Sequence, residues 1–265
     1  GVKQTTVAAD QFDVLAEQIR LLGYADLDSG FDDAEMDHFS TLFAQASQTY
    51  ADHAQKAGHD LDALKERDII RILPAEHSDF WKIVFNSPLH SLLERLLGSY
   101  YILNQVNGLI NRGNRQVYHQ AQYHRDLPYQ HFTSSQPLAI NALFALDDFT
   151  LENGATRVLP SSHHSEAFPS DEVVTRIEKQ IEVKRGTFIV LDCMAYHAGS
   201  TNMTAHDRRA INHVFTMPMM RQQFHFPSVL GDDMASFTQQ ERQILGQGLE
   251  EYRSREDMFT TLARR

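Results

Sequence analysis

The 265-residue chain predicts an α+β fold, an antiparallel β sandwich or barrel of the jelly-roll sort braced by N-terminal helices. Three observations carry this expectation. Residues 1–99 repeat apolar side chains at helical spacing. From about Tyr100 the rhythm changes to short strand-like runs cut by turn-forming segments. After Pro227 the chain returns to a polar helix-and-loop pattern. The length suits one domain with a large core. Residues 1–99 are then its mostly helical support, 100–220 its β core and 221–265 a C-terminal extension.

The elements follow in order. Residues 8–22 carry Phe12, Leu15, Ile19 and Leu22 on one stripe, and Gly23 ends that helix. Residues 24–27 suffice for an edge strand. Asp32 and Asp33 can cap a second helix reaching about Gln55, with Met36, Phe39, Leu42, Phe43 and Ala46 on one side. Pro88 starts a further helix bearing Leu89, Leu92, Leu93, Leu96 and Leu97, which Gly98 stops. Strands are expected over 100–110, 115–125, 138–147, 155–159, 180–183, 187–191 and 208–218. Asn111-Arg112-Gly113-Asn114, Glu152-Asn153-Gly154 and Pro160-Ser161-Ser162 supply turns between them. Residues 250–265 form a charged helix or tail.

The net charge is -11, from 24 Lys+Arg against 35 Asp+Glu. Residues 108–221 hold 11 of each sign, so the flanks carry the whole surplus. This balance disfavours nucleic acid and anionic membrane as partners, while the neutral middle does not repel an anionic substrate. No apolar stretch approaches the roughly 20 residues of a membrane span. Cys193 is the only cysteine, which rules out an intrachain disulfide and points to a reducing, cytoplasmic setting. Its apolar neighbours make it a buried small hydrophobe.

The chemistry concentrates in His124-Arg125-Asp126, followed by His197 and then Arg208. On a strand, His124 and Asp126 share a face, because side chains alternate with period 2. His197 from another strand would complete a 2-His-1-carboxylate site, the set that holds non-haem Fe(II) and leaves positions open for a co-substrate and O2. Taken singly, each of these residues reads better as hydrogen-bonded structure. Arg208, on the strand returning from His197, would need an anionic partner if buried, and a dicarboxylate co-substrate fits its fork. Arg209 has the opposite parity and ranks second. Gln122 shares the parity of His124 and Asp126, and Asn141 interrupts an apolar strand. Each either binds the co-substrate or satisfies a neighbouring main-chain group. His163 and His164 read as loop-shaping, His206 as a turn residue and His213 as solvent-facing or packing.

Tyr123-His124-Arg125-Asp126-Leu127, Leu146-Asp147-Asp148 with Glu152-Asn153-Gly154-Ala155 and Pro160-Ser161-Ser162-His163, and Gly186, His197, Asn202 and Arg208 in that order resemble the phytanoyl-CoA dioxygenase family. The resemblance is close over about 100–220. It implies a double-stranded β-helix (jelly-roll or cupin-like) core, iron on His124, Asp126 and His197, and the C5 carboxylate of 2-oxoglutarate on Arg208. Ser161 stands where relatives often carry Gly. Halogenases of the superfamily replace the carboxylate ligand by a small residue, so Asp126 argues against halogenation.

The function expected is thus an Fe(II)- and 2-oxoglutarate-dependent dioxygenase that hydroxylates a small metabolite, releasing succinate and CO2. Desaturation, epoxidation and ring formation use the same ligands. The alternatives are a non-catalytic ligand-binding β sandwich and a cupin-like metalloenzyme without 2-oxoglutarate. Arg112, Arg115, Arg125, Arg157 and Arg221 suggest an anionic or polar substrate. The loop after Asp126 is expected to line its pocket with Tyr129, His131 or Phe132, and the segment 221–226 to close over it.

Overall fold

The computed structural model describes residues 8–114, 119–128, 130–249 and 251–263. Helix α1, Gln11–Leu22, is capped by Asp10, whose side chain accepts from the main-chain N–H of Phe12 and Asp13. Gly23, at φ 86, ends it. Strand β1 (Tyr24–Asp28) follows, then helix α2 (Asp33–Lys56), which opens with a reciprocal Asp32–Glu35 capping box. The helix Ser87–Leu97 begins where Pro88 predicts and buries all five of its leucines.

The strands are β2 (Ile69–Arg71), β3 (Ile102–Asn111), β4 (Ala139–Ala145), β5 (Thr156–Val158), β6 (Lys179–Ile181), β7 (Thr187–Asp192), β8 (His197–Ala198) and β9 (Arg208–Thr216). Among the described residues they form a six-stranded sheet in the order β1-β7-β4-β9-β3-β2 and a three-stranded sheet β6-β5-β8. All pairs are antiparallel. β1 lies at the edge, as its length predicts. β2 was not expected, and neither was the short helix Asp171–Ile177.

One face of the large sheet packs on the helices. Phe144, Phe188, Ile211 and Phe215 join Phe39, Phe43, Phe80 and Phe226 in one buried cluster. α2 lies so close to β3 that a Cβ on Gly108 would come within 2.8 Å of the Phe43 ring. The other face meets the small sheet, and between the sheets is a cavity of about 130 Å³. An irregularity in β3 between Leu103 and Gln105 decides which side chains reach it. Leu103 and Val106 both enter the helix-side core, whereas Gln105 and Asn107 turn to the cavity.

A regular strand over 115–125 is not what the structure shows. Residues 115–118 lie outside the described part, His119–Ala121 form a 3-10 turn, and only His124 makes a bridge, to His197. The segment 221–226, expected to close over the pocket, does not line the cavity. Asn104 and Leu103 of β3 hold it through Arg221, Gln222 and Gln223, and Phe226 is wholly buried against Trp81.

Candidate active site

His124 and His197 are joined by the main-chain bonds His124 N–H to His197 O (3.0 Å) and His197 N–H to His124 O (3.1 Å). This bridge extends the two-residue β8 and brings the rings to 4.5 Å between centroids. Asp126, two residues on, is fixed by its N–H to the Cys193 carbonyl at 3.0 Å. One nitrogen of each imidazole and a carboxylate oxygen lie within 4.8 Å of one another. Asp126 Oδ1 is 3.5 Å from His197 Nε2 and 4.0 Å from His124 Nε2.

Local hydrogen bonds set the proton positions. His124 Nδ1 lies 2.9 Å from the Gln122 carbonyl, and His197 Nδ1 3.1 Å from that of Ala195. A carbonyl only accepts, so each Nδ1 carries its hydrogen and each neutral ring turns an Nε2 lone pair to the shared point. Asn141 Nδ2 donates to Asp126 Oδ2 at 2.8 Å and leaves Oδ1 for that point. Burial works against the Asp126 charge, but His197, His124 and the Asn141 bond outweigh it and lower the carboxyl to about 2. Burial lowers the pKa of His124, helped by His197. Burial also opposes charge on His197, but the Asp126 carboxylate beside it wins and raises its pKa. Two imidazoles and an ionised carboxylate are a donor set that fits Fe(II).

Arg208 opens β9 and is buried in the same cavity, its guanidinium 3.9 Å above the Phe149 ring. Parity on β9 holds: Arg208, Ala210 and Asn212 face the cavity. Arg209, on the other face, forms a two-point ion pair with Asp147 at 2.6 and 2.9 Å and reaches Ser40 of α2. His213, also on that face, is wholly buried and bonds the Ala142 carbonyl. His163 and His164 both bond the Arg20 carbonyl, tying their loop to α1. Ser161, where relatives often carry Gly, has φ 62 and is held by its N–H and Oγ to the Leu22 and Leu21 carbonyls.

Of the other expected site residues that the structure describes, only Asn141 lines the cavity. Gln122 is exposed, and its contribution is the carbonyl that orients His124. The parity argument for it fails because residues 119–123 are not strand. Asn141 lines the cavity, but its amide nitrogen serves Asp126. Tyr129 is outside the described residues. His131 and Phe132 are exposed and do not line the cavity. Arg125, between two of the three clustered residues, is a buried hub. It donates to the carbonyls of Met194 (2.8 Å), Ser162 (3.1 Å), Gln130 and Ser165, and stacks 4.0 Å over the Tyr196 ring. Arg157 ties the His124 segment to β8 through the carbonyls of Ala121 (2.8 Å) and Gly199 (3.2 Å), and pairs with Glu178. Arg112 is spanned by Asp68 and Asp207. These three arginines are therefore engaged, which removes them as support for an anionic substrate; Arg115 lies outside the described residues.

The sequence reading missed Arg71, Gln105, Asn107 and Asn212 on the cavity wall. Parity from Arg208 reaches Asn212. Nothing in the three-residue β2 announces Arg71.

Two facing antiparallel sheets with this cluster between them define a double-stranded β-helix of the cupin-like kind. The family model for phytanoyl-CoA dioxygenase (PhyH) matches residues 19–210, and the chain belongs to that family. An uncharacterized protein of Mycobacterium tuberculosis is 26% identical over 225 residues, covering 83% of this chain and 81% of that one. A dioxygenase of Emericella variicolor is 27% identical over 168 residues, 59% of this chain and 58% of that one. Among solved structures, EctD from S. alaskensis, with 2-oxoglutarate and 5-hydroxyectoine, superposes with TM-score 0.63 at 20% identity, over 78% of this chain and 77% of that one. The non-heme alpha ketoglutarate dependent carbocyclase SnoK gives TM-score 0.61 at 17% identity, over 82% and 88%. These likenesses show the fold. Family, fold and metal-type cluster together support a non-haem iron, 2-oxoglutarate-dependent oxygenase. No helix among the described residues is long and apolar enough to cross a membrane.

Proposed function

We propose that the protein is an Fe(II)- and 2-oxoglutarate-dependent dioxygenase that hydroxylates a small-molecule metabolite. The observation that carries this is the convergence of His124 Nε2, His197 Nε2 and Asp126 on one point, in the cavity that also holds the Arg208 guanidinium. Fe(II) held by these three residues, together with 2-oxoglutarate, would supply O2 activation, with one oxygen atom ending in succinate, formed with CO2, and the other in a substrate C–H bond.

The chain's own residues do the rest. His124, Asp126 and His197 would hold the metal, leaving positions for co-substrate and O2. The carbonyls of Gln122 and Ala195 keep the two imidazoles in the ligating tautomer, and Asn141 keeps the Asp126 carboxylate turned. Arg208 would take the distal carboxylate of 2-oxoglutarate, an attraction that its burial strengthens. Leu143 and Leu191 on the cavity wall would help to exclude water.

The test is Fe(II) stoichiometry together with succinate release from 2-oxoglutarate. Ala at His124, Asp126 or His197 leaves only two protein ligands, so iron binding and turnover should both be lost. Near-native activity in any one of these variants would overturn the assignment.

A further inference from the structure

Polar side chains stand in register across one part of the cavity wall. Arg71 of β2 pairs with Asn107 of β3, and Asn107 with Asn212 of β9. Residues opposite one another in an antiparallel sheet share a face, and strands lie about 4.8 Å apart, so the row is roughly 10 Å long. All three line the cavity that holds His124, Asp126, His197 and Arg208. Gln105 adjoins the row, its Oε1 accepting Asn107 Nδ2 at 3.2 Å. Arg208 is on β9, and Asn141, which holds Asp126, is on the neighbouring β4. The row leaves these two strands toward the opposite edge of the sheet.

The chemistry of the row is specific. Arg71 donates through Nε and Nη2 to both carboxylate oxygens of Glu66, at 2.7 and 2.6 Å. A guanidinium neutralised in this two-point geometry is a poor counter-ion for an anionic ligand. Asn212 is only 9% exposed, and its buried Oδ1 has no hydrogen-bond partner. A buried acceptor without a donor is costly, and the residue that carries it is on the cavity wall.

We propose, resting on the oxygenase reading above, that Arg71, Asn107 and Asn212 form the recognition wall for the primary substrate. The group they receive is uncharged and hydrogen-bonding, with an O–H or N–H donor for Asn212 Oδ1. Polyols, sugars and amides meet this description. Carboxylates, phosphate esters and plain aliphatic chains do not.

The experiment offers the full chain, loaded with Fe(II) and 2-oxoglutarate, a panel of small molecules and scores succinate release above the compound-free background. The panel contains myo-inositol, N-acetylglucosamine, glycerol and neutral amides beside dicarboxylates, phosphate esters and fatty acids. A neutral polar compound should raise release at least tenfold. In Asn107→Leu/Asn212→Leu the ratio of stimulated to background release should fall at least tenfold. The single variant Asn212→Ser, which keeps a hydroxyl acceptor, should show an intermediate ratio and serves if the double variant does not fold. Stimulation by anionic or aliphatic compounds alone, or by none of the panel, overturns the proposal. So does an equal fall of stimulated and background release, because the amides would then serve the co-substrate. A wild-type chain with no background release and no 2-oxoglutarate binding fails at the earlier step, and the oxygenase reading falls with the proposal.

Discussion

The two faces of the six-stranded sheet have opposite characters although the same strands build both. Toward the helices, β4, β7 and β9 present Phe144, Phe188, Ile211 and Phe215, all fully buried. Toward the small sheet, β3, β4 and β9 present Gln105, Asn107, Asn141, Arg208 and Asn212 around the metal-type cluster. The alternation is sharpest in β9, where Arg208, Ala210 and Asn212 face one way and Arg209, Ile211, His213 and Phe215 the other. Stability and chemistry are thus separated by one backbone thickness. Substitutions one position apart should therefore register in different measurements.

The sharpest test on the helix face is Phe144→Ala. It should destabilise the fold by about 3–5 kcal/mol, as large-to-small core changes do, with activity per folded molecule retained. An unchanged melting temperature with lost activity would break the comparison. On the cavity face, Arg208→Ala should raise the 2-oxoglutarate KM about 30-fold or more, from the loss of about 2–5 kcal/mol in a buried charged pair. Arg209→Ala should leave that KM alone and reduce stability by about 1 kcal/mol through its half-buried bond to Asp147. Comparable KM effects at the two positions would mean that the faces are not distinct.

His213 gives the helix face a pH signature. Burial, helped by His90, lowers its pKa to about 4 against the pull of the Ala142 carbonyl. The unfolded chain takes up that proton near pH 6.5, roughly the model-peptide value. Between these values the unfolded state binds more protons, so stability falls as pH drops from 6.5 to 4, by up to about 3 kcal/mol. Asp192, raised to about 6 by burial, titrates in the same window with the opposite sign. The measurement is therefore the stability difference between wild type and His213→Gln, which keeps a donor for Ala142. A difference independent of pH would refute this account. The smallest effect belongs to neither face: Phe132→Ser, at an exposed position, should change stability by less than about 0.5 kcal/mol and leave the 2-oxoglutarate KM unchanged. A large loss of turnover there would restore the loop to the pocket.

Where the chain keeps a regular period, its structure was legible in the sequence. The Phe12, Leu15 and Ile19 part of the α1 stripe, the leucines after Pro88 and the parity separating Arg208 from Arg209 follow from repeats of 3.6 or 2. The Asp32 cap follows from its residue type, whereas Leu22, expected on the same stripe of α1, is exposed. The spacing of His124, Asp126 and His197 pointed to a common site, and the structure brings them together for a reason the sequence did not show. Their segment is a 3-10 turn and a single bridge, so parity there carries no information, and Gln122 falls outside the cavity. β2 and β8 are three and two residues long, too short to display a period. The loop after Asp126 was read from its side chains, but it is Arg125 that places it, by gripping main-chain carbonyls.

That grip has an evolutionary consequence. A carbonyl is offered by every amino acid, so the Arg125 guanidinium does not depend on which side chains Ser165 and Met194 carry. The Gln130 side chain, by contrast, is itself bonded to the Arg125 main chain, and the Ser162 hydroxyl to the Tyr196 N–H. Apart from Gln130 and Ser162, these loops can exchange residues while staying fastened to the segment that bears His124 and Asp126. New contacts for other molecules can then be tried by point substitution at the rim, with the reactive centre left in register throughout.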